Sequence, residues 1–117
     1  MIKIAPSILA ADFGNLGRDV ASLSGWHADW LHFDVMDGHF VPNLSFGPPI
    51  LSSIRPLTKL PIDAHLMVEE PARFIPWFIQ AGADIITIHV EAEKHLHRAL
   101  HQIHEAGRKA GVVLNPG

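Results

Sequence analysis

The sequence contains no cysteine, so neither a disulfide framework nor thiolate chemistry is available to it. It also has no apolar run close to the roughly 20 residues that cross a bilayer. The amino terminus lacks the basic, apolar and small-residue regions of a secretory signal. We therefore expect a soluble protein without a membrane partner, and the absence of disulfides favours a cytoplasmic location.

Charge is scarce as well. Charged residues make up 18% of the 117 residues, the net charge is −3, and no basic stripe is present. Nucleic acid is therefore not predicted to be the main partner. The hydrophobic content of 48% is typical of a packed globular protein. We expect one domain, residues 1–117, long enough to bury a sizeable core.

One segment, residues 30–43 with the sequence WLHFDVMDGHFVPN, has a two-faced pattern. Its apolar and polar positions alternate: Leu31, Phe33 and Val35 with His32, Asp34 and Met36. This period predicts a strand with one apolar and one polar face. His32 and Asp34 can then place an imidazole nitrogen and a carboxylate oxygen on one divalent ion. The alternative is a partly buried pair that only forms a mutual hydrogen bond.

The rest of the chain alternates between predicted strands and helices. Apolar residues at helical spacing, often opened by proline and closed by glycine, predict helices at about 15–25, 48–56, 71–82 and 95–107. Further strands are predicted at 3–9, 60–68, 84–91 and 112–115. Pro6 places the first strand at an edge or end of the sheet, and Pro76 predicts a late start or a kink in the third helix.

This order of elements, (βα)4β, indicates a parallel α/β sheet with right-handed crossovers. Two architectures fit: a doubly wound open sheet and part of a (β/α)8 barrel. We favour the barrel, because polar residues recur on one face of the strands, as expected around a common interior. An open sheet with helices on both faces has near-continuous apolar strands instead. The predicted fold is a parallel half of a TIM (β/α)8 barrel.

A candidate catalytic metal site is formed by His32, Asp34 and His65. His65 lies on the strand at 60–68, in which polar and apolar residues alternate in the same way. Two imidazoles and one carboxylate near the carboxyl ends of neighbouring strands are typical of a metal site with open coordination positions.

Other polar residues have less specific predictions. We expect Asp63 on the barrel floor, Asp37 and His39 in loop structure, His97, His101 and His104 on a solvated helix face, and His89 and Glu91 either behind the site or as strand-end polar groups.

Five segments, APSILAADF, LHFDVMDGHFVPNLSFGP, DAHLMV, AGAD and GVVLNP, resemble ribulose-phosphate 3-epimerases in sequence and in order. The resemblance covers nearly the whole chain. It implies a barrel of the ribulose-phosphate-binding type. It also implies an isomerase of the pentose phosphate pathway that interconverts D-ribulose 5-phosphate and D-xylulose 5-phosphate by inverting C3. A close relative acting on a six-carbon ketose phosphate would have the same motifs.

The resemblance also implies roles for individual residues. His32, Asp34 and His65 would bind a divalent ion, which would be zinc, iron, manganese or cobalt. Asp34 would in addition be one of two groups that transfer the proton at C3. The residues expected to contact the sugar-phosphate substrate are Ser7, Met36, His65 and Met67.

Two features of the family have no counterpart among these residues: the second acid/base, an Asp on the seventh strand, and the glycine-rich phosphate loops. One expectation is therefore a non-catalytic half barrel that folds and self-associates, with or without metal. The other is an enzyme completed by a partner. The partner would be a second copy paired about a two-fold axis, giving a homodimer, or a complementary half on a separate chain.

Overall fold

The computed structural model describes residues 1–117 and contains one four-stranded parallel sheet. Its strands are β1 (Leu31–Met36), β2 (Ile62–Met67), β3 (Ile85–His89) and β4 (Lys109–Val113). The helices are α1 (Leu16–Ser22), α2 (Pro48–Ile54), α3 (Pro71–Ala81) and α4 (Leu96–Glu105). Short 3₁₀ helices occupy Ile8–Ala10, Phe13–Asn15, Leu23–Trp26 and Arg55–Leu57. None of the helices has the length and apolar character needed to cross a bilayer.

The strands lie side by side in sequence order, β1-β2-β3-β4, and every neighbouring pair is parallel. The helices follow the same order, with α1 packed on α2, α2 on α3 and α3 on α4. Right-handed crossovers that always step in one direction keep the helices on one face of the sheet. A doubly wound sheet would reverse its strand order and carry helices on both faces. The observed arrangement is half of a TIM barrel, and the fold prediction is confirmed.

The face of the sheet that meets the helices forms the hydrophobic core. Phe33 of β1, Ala64 of β2 and Ile86 of β3 are consecutive register partners, and each is fully buried. The ring of Phe33 also packs against the ring of Phe78 from α3, with 6.3 Å between centroids. Burying one such side chain contributes roughly 2–3 kcal/mol. The apolar half of the strand alternation therefore decides which face receives the helices and leaves the other face for polar residues.

The predicted first strand at 3–9 is reduced to a single parallel bridge between Ser7 and His32. The carbonyl of Pro6 accepts a hydrogen bond from the His32 N–H at 2.9 Å. Pro6 has no N–H to donate in return, so a regular ladder cannot continue. The chain turns into the 3₁₀ helix Ile8–Ala10 directly afterwards.

Two predicted boundaries also differ from the structure. The late start of the third helix is wrong, because α3 begins at Pro71 and continues through Pro76. Pro76 removes only its own N–H bond to the preceding turn, and the buried face of the helix remains. β4 begins at Lys109, earlier than the predicted 112. Its register is set at that point by the Lys109 N–H, which donates to the Asp84 carbonyl at 3.0 Å.

Candidate metal centre

The polar face of the sheet lies opposite the helices and collects side chains from β1 and β2. Because side chains alternate between the two faces of a strand, every second residue lies on this face. Parallel register then places three pairs side by side: His32 with Asp63, Asp34 with His65, and Met36 with Met67. The predicted metal ligands and the two predicted methionines therefore occupy one continuous surface.

The loop after β1 folds back and fixes the end of the strand. Oγ of Ser45 accepts the Met36 N–H at 2.9 Å and donates to the Asp34 carbonyl at 2.7 Å. Asp37, expected in loop structure, accepts the Glu69 N–H at 2.8 Å and so joins the loops after β1 and β2. These bonds hold the two strand ends that carry the site in one relative position.

Three potential ligand atoms converge on this surface: Nε2 of His32, Oδ1 of Asp34 and Nδ1 of His65. Oδ1 lies 3.1 Å from the His32 nitrogen and 3.0 Å from the His65 nitrogen, and the two nitrogens are 3.4 Å apart. An ion that binds its ligands at about 2.0–2.2 Å in tetrahedral or octahedral geometry holds neighbouring ligand atoms roughly 3.0–3.6 Å apart. The three side chains therefore fit one divalent ion.

Electrostatics at this cluster favour a positive charge next to Asp34. Hydrogen bonding to Asp34, and next to Asp63, raises the pKa of His32 to about 10. Burial alone would raise the pKa of Asp34, but hydrogen bonds from His32, His65 and Ser7 outweigh it and hold that pKa well below its ordinary value. Asp34 is therefore an ionised carboxylate whose side chain is only 13% exposed.

Ser7 lies against the same carboxylate. Its hydroxyl donates to Oδ2 of Asp34, and its oxygen accepts the Leu9 N–H at 3.2 Å. The structure thus brings Ser7 into the cluster as a hydrogen-bond partner of Asp34. Its contact with substrate stays a prediction, as do those of Met36 and Met67.

Asp63, predicted on the barrel floor, instead lies beside the cluster and contacts His32. Its Oδ2 lies 3.3 Å from Nδ1 of His32, and its Oδ1 accepts the Thr87 hydroxyl at 2.7 Å. A carboxylate behind a ligand imidazole orients the ring and directs its other nitrogen toward the ion. The signal was available: Asp63 is two residues before His65 and so shares its face of β2.

His89 is the second residue behind the site. Its Nε2 lies 2.7 Å from Nε2 of His65, and the residue is only 3% exposed. His89 was predicted to lie either behind the site or as a strand-end polar group, and this contact places it behind the site. The histidines of α4, His97, His101 and His104, are exposed as predicted and lie outside the cluster.

Comparison with known proteins gives consistent matches. The profile of the "Ribulose-phosphate 3 epimerase family" matches residues 3–117. A ribulose-phosphate 3-epimerase of Bacillus subtilis (strain 168) is 59% identical over 116 residues, which are 99% of this chain and 54% of the relative. Its counterpart in Synechocystis sp. (strain ATCC 27184 / PCC 6803 / Kazusa) is 56% identical over 117 residues, covering 98% of this chain and 51% of the relative.

A third relative is the chloroplastic ribulose-5-phosphate-3-epimerase of Arabidopsis thaliana, 52% identical over 118 residues, with 99% of this chain and 42% of the relative covered. The chain thus spans about half the length of the curated relatives it matches. The resemblance drawn from the motifs is confirmed, and nothing in these matches favours the non-catalytic alternative.

Proposed function

Because the chain belongs to the ribulose-phosphate 3-epimerase family, we propose that its polar sheet face serves the interconversion of D-ribulose 5-phosphate and D-xylulose 5-phosphate at C3. The observation that carries the proposal is the convergence of ligand atoms from His32, Asp34 and His65 within 3.4 Å of one another. These three residues would hold one divalent ion. Zinc, iron, manganese and cobalt all suit a set of two imidazoles and one carboxylate.

Asp34 is the proton-transfer group of this proposal. It is ionised, and so it is in the form that accepts a proton from carbon. Hydrogen bonds from Ser7, His32 and His65 hold the carboxylate in one orientation, which lowers the cost of positioning it against C3. The bound ion would supply stabilisation of the negative charge that develops on the sugar oxygens when C3 loses its proton.

Met36 and Met67 would form the apolar wall of the substrate site. They follow Asp34 and His65 by two residues on neighbouring strands and are register partners of each other. Thioether side chains are polarizable and adapt to a planar ligand, and they keep water away from a reactive intermediate. The sugar-phosphate substrate would therefore lie over this end of the sheet.

A second copy of the chain is the proposed partner. β4 pairs only with β3, so its other edge has backbone groups free to bond. Large apolar residues lie at both ends of the sheet, with Ile4 61%, Val112 45% and Leu114 72% exposed. A two-fold dimer would bury these residues. Size-exclusion chromatography with light scattering should give the mass of two chains, whereas a monodisperse monomer would contradict the proposal.

The proposed chemistry is tested by proton exchange at C3. The chain, loaded with a divalent metal, is incubated with ribulose 5-phosphate in deuterated water and followed by proton NMR. We expect the C3 proton signal to disappear with the unaltered chain and with Asp19→Asn, a carboxylate outside the cluster, but to persist with Asp34→Asn. A C3 signal that persists with the metal-loaded unaltered chain would refute the assignment of Asp34. Appearance of xylulose 5-phosphate would show that the assembly also supplies the second proton-transfer group.

A further inference from the structure

Two buried imidazoles meet directly behind the candidate metal centre. Nε2 of His65 lies 2.7 Å from Nε2 of His89, whose side chain is 4% exposed. The ring of Phe40 packs against His89 with 4.9 Å between centroids. Two imidazole nitrogens at this distance share one proton, so that one nitrogen donates and the other accepts. The direction of this hydrogen bond determines which nitrogen of His65 is free to bind a metal.

Glu91 faces the other nitrogen of His89. Its Oε2 lies 3.5 Å from Nδ1 of His89, and this buried Nδ1 has no hydrogen-bond partner. With an ion bound by His65 and Asp34, Asp34 would no longer accept a hydrogen bond from His65. The carboxylate of Glu91 would then favour a proton on Nδ1 of His89 over a lone pair. The other oxygen of Glu91 accepts the Asn115 N–H, which holds the carboxylate in place.

A metal ion on Nδ1 of His65 would use the lone pair of that nitrogen, so the proton of His65 would be on Nε2. The Nε2 of His89, 2.7 Å away, is placed to accept a hydrogen bond from it. His89 can accept there when its own proton is on Nδ1, the nitrogen that faces Glu91. Nδ1 of His65 is the nitrogen that lies 3.0 Å from Asp34 and 3.4 Å from His32, in the candidate metal centre.

We propose that His89 and Glu91 are positioning residues that hold His65 in the tautomer able to bind a metal through Nδ1. The proposal rests on the proposed function, because it takes His65 as a metal ligand, and it adds two residues that act through His65. It is the counterpart of the contact between Asp63 and His32, so that each candidate imidazole ligand has its own oriented partner.

Two substitutions at His89 separate hydrogen bonding from packing. His89→Gln offers an amide oxygen near the position of Nε2 and can still accept from His65. His89→Phe keeps a planar ring of similar size and removes the acceptor. Zinc affinity, measured by competition with a chromophoric chelator, should fall about 10- to 100-fold in His89→Phe and change much less in His89→Gln. Equal losses in both variants would indicate a packing role and overturn the proposal.

Glu91→Gln keeps the test independent of the core, because the Glu91 side chain is 37% exposed and its replacement leaves the buried rings in place. It should weaken zinc binding by less than His89→Phe does. The matched control Glu105→Gln, on the exposed face of α4, should not change zinc binding. Unchanged zinc affinity in both Glu91→Gln and His89→Phe would overturn the inference.

Nitrogen-15 NMR of the histidine rings reads the tautomer directly and does not depend on activity. In the zinc-loaded chain we expect the His65 proton on Nε2 and the His89 proton on Nδ1. A proton on Nδ1 of His65 would overturn the inference while leaving zinc binding itself intact. If the unaltered chain does not bind zinc at all, the proposed function fails and this inference fails with it.

Discussion

Gly82 ends α3 at a place where an added methyl group would collide with Arg55. Its φ is +110°, and a Cβ on this residue would lie 2.6 Å from Cδ and 2.8 Å from Cγ of Arg55. The Arg55 side chain cannot easily move away, because its guanidinium donates to the Asp84 carboxylate at 2.8 Å and to the carbonyls of Gly82, Thr58 and Leu60. Gly82→Ala must therefore strain the backbone and displace this cluster of hydrogen bonds.

The two effects have separable magnitudes. A left-handed backbone costs an alanine about 1–2 kcal/mol. Loss of hydrogen bonds that involve a charged group adds about 1.5–3 kcal/mol. Gly82→Ala should therefore lower the free energy of unfolding by about 3–5 kcal/mol, a large part of the ~5–15 kcal/mol typical of a domain. Gly107, just after α4, is the matched control, because its φ is +75° and a Cβ there meets no atom within 4 Å.

Urea denaturation followed by circular dichroism compares the two variants. Gly107→Ala should cost only the backbone term of about 1–2 kcal/mol. In an Arg55→Ala background, the cost of Gly82→Ala should fall toward the same value, because the atoms it collides with are absent. Equal costs for Gly82→Ala and Gly107→Ala, or an undiminished cost of Gly82→Ala without Arg55, would refute the reasoning.

Three further predictions concern the site and its supports. Hydrogen bonding to Asp34, and next to Asp63, raises the pKa of His32 from 6.5 to about 10 in the folded protein. The protonated imidazole therefore stabilises the fold fully below pH 6.5, and this stabilisation is lost as the pH rises through the folded-state pKa of about 10. The melting temperature of chelator-treated protein should therefore fall between pH 7 and pH 10, and a His32→Gln variant that shows the same fall would contradict this. Asp37→Ala removes the acceptor of the Glu69 N–H and should lower the free energy of unfolding by about 1–3 kcal/mol. Hydrogen exchange at the Glu69 amide should become faster, and an unchanged exchange rate would show that Asp37 does not join the two loops. Asp63→Ala should weaken zinc binding about 10- to 100-fold in a chelator competition, and unchanged affinity would show that Asp63 does not orient His32.

The composition of the site was predictable because period-two alternation fixes which face of a strand a residue occupies. That rule placed His32, Asp34 and His65 on one surface. The alternation does not predict the contact between His65 and His89, because the register partner of His65 on β3 is Thr87 and His89 is a diagonal neighbour. Diagonal contacts depend on strand register and on side-chain rotamers, which no spacing within one strand encodes.

Two predicted element boundaries, at residues 3–9 and near Pro76, differ from the structure for local reasons. Residues 3–9 are apolar enough for a strand, but Pro6 cannot return a hydrogen bond to β1, so only the bridge of Ser7 with His32 forms. Conversely, Pro76 is a poor helix residue, yet tertiary packing retains the helix, because Ile75 and Phe78 beside it are fully buried. Backbone chemistry prevails at an exposed edge, whereas burial prevails in the core.

We propose that one divalent ion is bound by His32, Asp34 and His65. Anomalous diffraction at the zinc edge from crystals of the zinc-loaded chain tests it most directly. We expect a strong peak about 2.0–2.2 Å from Nε2 of His32, Oδ1 of Asp34 and Nδ1 of His65. Zinc found only on the exposed histidines of α4, His97, His101 and His104, with no peak between β1 and β2, would contradict it.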